Sequence, residues 1–112
     1  MPSPEFVEEV LDVVSRIPEG RVMTYGDVAR AIGSRAPRAV GMVMAHYGHT
    51  VPWWRVVPAS GGPPQGHDAE ALPHYLAEAT PLRGAPAPGE FRIALAEARL
   101  DIDHEIYAEI AP

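Results

Sequence analysis

The sequence predicts a mainly α-helical fold with a small β-hairpin, of the winged helix-turn-helix type. Two segments with helical periodicity, joined by a tight turn, span residues from about 24–47. A wing and pocket segment of about 51–66 follows, and its serine, glycines and prolines at 60–64 are typical of the loop of a wing. The 112 residues, of which 46% are hydrophobic, fit one domain, 1–112, with one core.

A first helix is predicted near the N-terminus. Ser3 is placed to cap it, Pro4 occupies its first position, and Glu5 lies near the positive end of the helix dipole. Pro18 and Gly20 then end the helical pattern and lead into a turn. The hydrophobic residues of this helix recur at helical spacing and predict one buried stripe, made of Phe6, Val7, Val10, Leu11 and Val14.

The two helices of the predicted helix-turn-helix follow. Thr24 and Asp27 form a variant of the capping box, which predicts a helix that runs to Ile32 and ends at Gly33. Pro37 begins the second helix. Its exposed face carries an arginine and small residues, which is typical of a recognition helix. The buried face comprises Val40, Val43, Met44 and Tyr47, and the exposed face comprises Arg38, Gly41, Met42 and Ala45.

The rest of the chain gives weaker patterns. Residues 51–58 are predicted to be extended. Residues 67–79 fit a helix, although Pro73 requires a kink or a late start of that helix. Residues 81–89 are predicted to form a loop, and the segment 91–99 fits both a strand and a helical turn, so both alternatives stay open.

Charge is distributed unevenly along the chain. The net charge is −6, and all nine basic residues are arginines. Residues 13–60 hold six arginines against Glu19 and Asp27, a balance of +4, whereas residues 1–12 carry −4 and residues 61–112 carry −6. A basic middle between acidic ends predicts one basic face on an otherwise acidic particle, and such a face suits a phosphate backbone.

Composition excludes several classes of function. The chain has no cysteine, so disulfides, thiolate metal sites and cysteine nucleophiles are absent. His46 and His49 have a spacing that chelates metals on a helix, but Gly48 interrupts the helix, and we expect no metal and no cofactor. Ser60 has no positioned base, so we expect no catalytic residue. The absence of a long apolar stretch and the acidic N-terminus predict a cytoplasmic protein, nucleoid-associated in a bacterium.

The two tryptophans of the chain stand side by side in Pro52-Trp53-Trp54-Arg55-Val56. Each indole offers a flat π-face and one N–H donor, so one of them is able to line a pocket for an aromatic ligand while its neighbour packs inward. The alternative is a strand with one tryptophan in the core and the other on the surface. Composition alone leaves both alternatives open.

Three blocks of sequence carry a resemblance to a known family. They are IPEGRVMTYGDVA at 17–29, PRAVG at 37–41 and PWWRVV at 52–57. In this order they resemble the DNA-binding domain of the O6-alkylguanine-DNA alkyltransferases and, more closely, the alkyltransferase-like proteins. The resemblance covers residues 5 to about 60 and implies the winged helix-turn-helix DNA-binding domain of that family.

The resemblance implies recognition without catalysis. In the repair enzymes the third block contains the cysteine that accepts the alkyl group, and in the alkyltransferase-like proteins a tryptophan stands there, matched here by Trp53. Independently of the family, a transfer that forms a thioether needs a thiolate, which this chain lacks. The implied function is recognition of O6-alkylguanine in DNA by minor-groove binding and base flipping, with signalling to nucleotide excision repair.

The resemblance also implies roles for individual residues. Arg38 would enter the base stack from the minor groove and fill the space of the flipped nucleotide, while Tyr25 would press on the adjacent phosphate. Gly41 would allow the recognition helix a close approach to DNA. The remaining implied site residues are Thr24, Arg30 and Arg35 as phosphate contacts, and Trp53 with Pro52 and Arg55 in the lesion pocket.

The chain departs from the family pattern at the residue after Trp53, in the loop after the wing, and in the segment 46–51, which is shorter than the hinge of the enzymes and lacks its asparagine. Trp54 stands where the family usually has the histidine that serves as a base, which again excludes transfer chemistry. No arginine or lysine lies between Val56 and Leu82, so the loop after the wing has no basic pocket residue to assign. The role of Trp54 stays open, with packing expected if its segment is extended.

The expected partner is double-stranded DNA that contains O6-alkylguanine, with nucleotide excision repair proteins acting afterwards. We expect a monomer that does not contact membranes. The alternative is a winged-helix DNA-binding regulator or a protein-interaction module without lesion specificity. Binding that depends on base sequence and ignores alkylation would favour that alternative.

Overall fold

The computed structural model describes residues 2–101 of the 112. None of its helices is long and apolar enough to cross a membrane. The sequence of the acidic tail from Asp101 onward fits either a helix or a frayed end, and residues 102–112 lie outside the described residues. The helices are α1 (Pro4–Ser15), α2 (Tyr25–Ala31), α3 (Pro37–Tyr47), α4 (Asp68–Glu78) and α5 (Leu95–Ala98), the strands are β1 (Met23–Thr24), β2 (Val56–Val57), β3 (Leu82–Gly84) and β4 (Phe91–Ile93), and Gly48–Thr50 and Trp53–Arg55 form 3-10 turns.

Helix α1 begins as the sequence predicts. The Phe6 N–H donates a hydrogen bond to Ser3 Oγ at 3.2 Å, and proline occupies the first helical position. Val10 and Val14 of the predicted stripe are fully buried. Val13, which the predicted stripe omits, is also fully buried, because α1 packs against both α2 and α3 and therefore buries a broader face.

The helix-turn-helix lies where the sequence predicts it. The Asp27 N–H donates to Thr24 Oγ1 at 3.0 Å, and the Thr24 N–H donates to Asp27 Oδ2 at 3.2 Å, which completes the capping box. Gly33 follows α2 with a φ of 72°, a conformation that glycine adopts without strain. Val40 is fully buried, but the predicted burial of Tyr47 is wrong. Tyr47 is the last residue of α3 and is 46% exposed, because periodicity does not show how far the packing partners of a helix extend.

The segment 51–66 contains no hairpin, contrary to the prediction. Strand β2 pairs in parallel with β1, with Met23 opposite Val56, and the residues Trp53–Arg55 form a 3-10 turn instead of extended backbone. The valines of β2 are buried, and their backbone groups pair with a strand that is distant in sequence. Local periodicity does not reveal such a partner.

The small β-hairpin is formed by β3 and β4. These strands are antiparallel, with Leu82 opposite Ile93 and Gly84 opposite Phe91. The prediction of a loop over 81–89 is therefore wrong for residues Leu82–Gly84, which form β3. Strand β3 contains an arginine and a glycine and has little intrinsic strand preference, so its pairing with the largely buried β4 decides its conformation.

Helix α4 contains Pro73 in its interior, so the helix does not start late. It begins at Asp68, and the ring of Pro73 lies on an exposed position where it does not disturb the core. Ala79 ends the helix with a φ of 57°, in a left-handed cap. Both alternatives for the segment 91–99 are realised one after the other, as β4 and α5.

The core consists of two hydrophobic clusters that meet at the β1–β2 pair. Met23 and Val56 belong to the first cluster, which the residues of α1, α2 and α3 dominate. Their chain neighbours Val22 and Val57 belong to the second cluster, with residues of α4, the hairpin and α5. Successive side chains of a strand point to opposite faces, so the short strand pair joins the helix-turn-helix to the second half of the chain.

Candidate nucleic-acid interface

A cavity of about 480 Å³ lies between the helix-turn-helix and the loop that leads into α4. Its volume falls within the range of about 300–1,000 Å³ that is usual for ligand sites. Three of the predicted site residues, one from each sequence block, share its wall: Tyr25, Gly41 and Trp53. The other lining residues are Met44, Ala45, Gly48, His49, Pro64, Gln65, His67 and Glu70.

Only some of the other lining residues could have been predicted from the sequence. Ala45 and Gly48 continue the face of Gly41 at the spacing i+4 and i+7, so helical periodicity gives a signal for them. His67 and Glu70 give no such signal. They reach the cavity only because the loop after β2 returns to the end of α3, which is a property of the tertiary fold.

Trp53 is surrounded by other aromatic rings. Its ring centroid lies 5.7 Å from that of Trp54, 5.8 Å from that of His67 and 6.0 Å from that of His74. All three arrangements are edge-to-face, with interplanar angles of 87°, 62° and 77°. Such contacts favour one orientation of the indole, so Trp53 forms a pre-organised part of the cavity wall.

Trp54 packs against α4, although its segment is a 3-10 turn and not the extended backbone for which packing was expected. Its indole stacks on the His74 imidazole with a centroid distance of 3.6 Å and an interplanar angle of 10°. Its Nε1–H donates to Glu78 Oε1 at 3.1 Å. Trp54 therefore fixes the turn that positions Trp53 and does not line the cavity.

Arg55 and Pro52, which the resemblance places in the lesion pocket, do not line this cavity. The Arg55 side chain is only 12% exposed and turns away from the cavity, where Nη1–H donates to the Ile17 carbonyl at 2.8 Å and Nε–H donates to Glu78 Oε2 at 3.1 Å. Pro52 caps the 3-10 turn and is absent from the lining. In a strand, successive side chains alternate between two opposite faces. The 3-10 turn does not follow this alternation, so the directions of these side chains were not predictable from it.

Glu78 accepts the hydrogen bonds that fix the tryptophan segment. Besides Trp54 and Arg55, the backbone N–H of Gly20 donates to its Oε2 at 3.1 Å. Burial raises the pKa of Glu78, but the hydrogen bonds from Arg55, Gly20 and Trp54 outweigh burial and hold this pKa below its usual range. Tyr75 adds a hydrogen bond from its hydroxyl to the Trp54 carbonyl, and burial raises the pKa of this phenol.

The predicted phosphate contacts lie in three different environments. Arg35 and Arg38 are exposed, in the turn before α3 and in its first turn, and neither lines the cavity. Arg30 is exposed beside a separate groove of about 260 Å³ that Arg99 also lines. Thr24 is 4% exposed, and its hydroxyl oxygen accepts the capping hydrogen bond from the Asp27 N–H.

An ion pair joins α2 to the segment after α5. Asp27 Oδ1 lies 2.7 Å from Arg99 Nη2, and Oδ2 accepts from Arg99 Nε–H at 2.9 Å. Burial raises the pKa of Asp27, but the hydrogen bonds from Arg99 and from the Thr24 N–H outweigh it and hold this pKa below its usual range. The capping carboxylate of α2 therefore also contributes to tertiary structure.

The cavity offers aromatic and apolar surface with a few polar groups. Burial raises the pKa of Tyr25, so its phenol stays protonated and able to donate a hydrogen bond. Gln65 and His67 add polar atoms to the opposite wall. Within residues 2–101, no group of three or more histidine, aspartate or glutamate side chains is placed to hold a metal ion. The lining is therefore suited to a flat heterocycle.

Comparison with known proteins gives a family match over this region. The family model for the DNA binding domain of 6-O-methylguanine DNA methyltransferase matches residues 5–78. The DNA base-flipping protein of Escherichia coli (strain K12) is 43% identical over 88 residues, covering 71% of this chain and 66% of that relative. Alkyltransferase-like protein 1 of Schizosaccharomyces pombe is 45% identical over 60 residues, covering 51% of this chain and 56% of that relative. The match thus spans less than two thirds of the length of both relatives.

Solved structures match the fold as well. S. pombe Atl1, crystallised in complex with damaged DNA containing O6-carboxymethylguanine, has a TM-score of 0.76 at 30% identity, covering 90% of this chain and 99% of that chain. The OGT of M. tuberculosis in complex with DNA has a TM-score of 0.59 at 30% identity, covering 78% and 53% of the two chains. The predicted fold class, mainly helical with small sheets, is confirmed by these matches and by the observed elements.

Proposed function

Because the chain belongs to the family of the 6-O-methylguanine DNA methyltransferase DNA-binding domain, as an alkyltransferase-like protein, we propose that it recognises O6-alkylguanine in double-stranded DNA without catalysis. In this proposal the helix-turn-helix binds the minor groove and the damaged base rotates out of the duplex. The cavity beside Trp53 then holds the flipped base.

The observation that carries the proposal is the position of Trp53. Its indole forms part of the wall of a cavity that the helix-turn-helix residues Tyr25 and Gly41 also line. A base that leaves the stack next to α3 would therefore find an aromatic wall directly beside the DNA-binding helices. Stacking of a base on an aromatic side chain contributes about 1–3 kcal/mol, which offsets much of the cost of unstacking.

Two further residues support base flipping. Arg38 is exposed in the first turn of α3, where its guanidinium is free to enter the space that the flipped nucleotide leaves. Tyr25 lies at the start of α2 and lines the same cavity as Trp53, and in this proposal its phenol contacts the adjacent phosphate. Exposed Arg35 adds a contact to the DNA backbone.

Holding the lesion without chemistry follows from the composition of the chain. A suicide transfer would need a thiolate at the wall of the cavity, and the chain contains no cysteine. The indole of Trp53 stands in the cavity wall instead. An indole stacks on a purine but does not accept its alkyl group, so the damaged base would remain intact in the complex.

An intact lesion in a protein complex requires another activity for repair. We place this chain upstream of nucleotide excision repair, acting as a monomer on cytoplasmic or nucleoid DNA. The flipped base and the protein bound to it would mark the site for the repair proteins. The complex of S. pombe Atl1 with damaged DNA supports the first step, the binding of damaged DNA.

A titration at controlled salt concentration tests the proposal. Fluorescence anisotropy of labelled duplexes that contain O6-methylguanine or guanine at one position gives the ratio of the two dissociation constants. We expect the lesion duplex to bind at least about tenfold tighter, because a weakly paired base costs less to flip. Equal affinity for the two duplexes at matched salt would refute the proposal.

Two variants separate the roles of the site residues. Arg38→Ala is expected to weaken binding of the lesion duplex about tenfold, because no guanidinium fills the stack. Trp53→Ala is expected to reduce the lesion-to-guanine ratio by about tenfold through lost stacking, with a smaller effect on the guanine duplex. Arg83→Ala, which removes an exposed arginine of β3, is the matched control for lost charge and should leave the ratio unchanged. Binding that depends on base sequence and ignores alkylation would favour a winged-helix regulator instead.

A further inference from the structure

The lesion cavity has an unusual charge pattern for a protein surface that faces DNA. Among the described residues that line it, Glu70 is the single formally charged side chain, and no lysine or arginine is present. The remaining polar groups are the phenol of Tyr25, the amide of Gln65 and the imidazoles of His49 and His67. Glu70 is therefore the one lining residue whose charge could discriminate between substituents of a flipped guanine.

Glu70 is held at a defined place in this wall. It lies in the first turn of α4, and its Oε2 is 3.1 Å from Nδ1 of His67. The ring of His67 in turn contacts the edge of Trp53, with centroids 5.8 Å apart. A chain of two contacts thus links the carboxylate to the indole on which the base would stack, so Glu70 and a stacked base would share the same cavity.

We propose that Glu70 makes this cavity selective for the charge of the O6 substituent. Uncharged alkyl groups are accepted, and substituents that end in a carboxylate are disfavoured. This inference rests on the proposed function, and it names the class of lesion within it. It requires no change of fold, because Glu70 is exposed on one side and open to the cavity on the other.

The size of the effect follows from the separation and the solvent exposure of the charges. The Glu70 side chain is 65% exposed, so water screens it strongly. Two like charges about 7 Å apart at an effective dielectric constant of about 40–80 change a dissociation constant by about three- to eightfold. Screening also predicts that the difference shrinks as the salt concentration rises.

The experiment compares two lesions of similar size and different charge. Duplexes that contain O6-carboxymethylguanine, O6-(2-hydroxyethyl)guanine or guanine are titrated with the full chain at low salt and about pH 8, where free imidazole is uncharged. We expect the hydroxyethyl lesion to bind about three- to eightfold tighter than the carboxymethyl lesion. Glu70→Gln should bring this ratio close to one, and Glu70→Lys should invert it.

Glu97→Gln is the matched control, because it removes one exposed carboxylate of α5 away from the cavity. It raises the net charge by the same amount as Glu70→Gln and should leave the ratio of the two lesions unchanged. If both lesions bind tighter than guanine but Glu70→Gln does not alter their ratio, charge selectivity is overturned and lesion recognition stands. If neither lesion binds tighter than guanine, both proposals fail.

Discussion

Glu78 binds three hydrogen-bond donors that come from distant parts of the chain. Trp54, Arg55 and Gly20 all donate to its carboxylate, which is 10% exposed. These bonds hold the 3-10 turn against α4 and so place Trp53 in the cavity wall. Two neighbouring tryptophans thus have different jobs: one forms the site, and the other fixes it.

Replacing Glu78 by glutamine is expected to lower the free energy of unfolding by about 3 kcal/mol. The change leaves the largely buried guanidinium of Arg55 without its counter-charge, and breaking a buried pair costs more than the pair itself contributes. Urea unfolding followed by circular dichroism measures the difference. Glu97→Gln, at an exposed carboxylate, is the control and should change the free energy of unfolding by less than about 0.5 kcal/mol. A loss for Glu78→Gln as small as that of the control would contradict this role.

At the scale of the element, α3 carries the face that meets both the cavity and the proposed DNA. Gly41 lies in its interior, and a Cβ added there would meet no atom within 4 Å. The fold therefore has no packing reason for glycine at this position, and glycine costs helix stability. The close approach of DNA to the backbone that we propose would supply such a reason.

Gly41→Ala should therefore separate stability from binding. We expect the free energy of unfolding to rise by about 0.5–1 kcal/mol, because alanine favours a helix interior. The dissociation constant for the lesion duplex should rise at the same time, since the added methyl group lies in the cavity wall. Gly33→Ala, outside the cavity and at a φ of 72°, is the comparison and should lose stability instead. Unchanged DNA binding by Gly41→Ala would argue against a close approach at this residue.

Helix α2 depends on its capping box, which also orders the residue before Tyr25. Thr24→Ala removes the oxygen that accepts the Asp27 N–H and leaves that donor without its partner inside the protein. We expect the free energy of unfolding to fall by about 1–2 kcal/mol, measured by urea titration. Thr24→Ser keeps the hydroxyl and should lose clearly less. Equal losses for alanine and serine would show that the threonine methyl group, and not the cap, stabilises this position.

At the scale of the whole molecule, the net charge is −6, and two of the carboxylates that contribute to it also stabilise the fold. Asp27 and Glu78 both have a pKa below the usual range because hydrogen bonds from their partners outweigh burial. The unfolded chain therefore binds protons at a higher pH than the folded chain at these two groups. Their stabilisation is fully present above the unfolded carboxyl pKa of about 4 and is lost as the pH falls through the lower folded values.

Acid should consequently destabilise the protein below about pH 5. Free energies of unfolding measured between about pH 7 and pH 2 are expected to fall with decreasing pH. The Glu78→Gln variant should show a smaller decrease over this interval, because one of the two titrating groups is gone. The same pH dependence in the variant and the unchanged chain would show that Glu78 does not contribute to it.

Much of the helix-turn-helix is predictable because its signals are local. The cap of α1 at Ser3, the capping box of α2 and the start of α3 at Pro37 each depend on residues within one helical turn of each other. The sequence-based prediction places the hairpin in the wrong segment. Strand β2 pairs with β1, which is far from it along the chain, and local patterns do not show this pairing. The sequence also does not show that Pro52 and Arg55 lie outside the cavity lining, because the 3-10 turn directs them elsewhere.

By itself, the sequence determines the family, the positions of the DNA-binding helices, the tryptophan of the third block and the absence of any thiolate for transfer. The tertiary structure alone decides that Trp53 faces a cavity, that Arg55 turns to Glu78, and that Glu70 enters the cavity wall. The chemistry that a side chain can perform depends on its residue type, so it can be recognised from the sequence without knowledge of the fold. Which side chains meet depends on pairings between distant segments, and those are settled by burial and hydrogen bonding when the whole core forms.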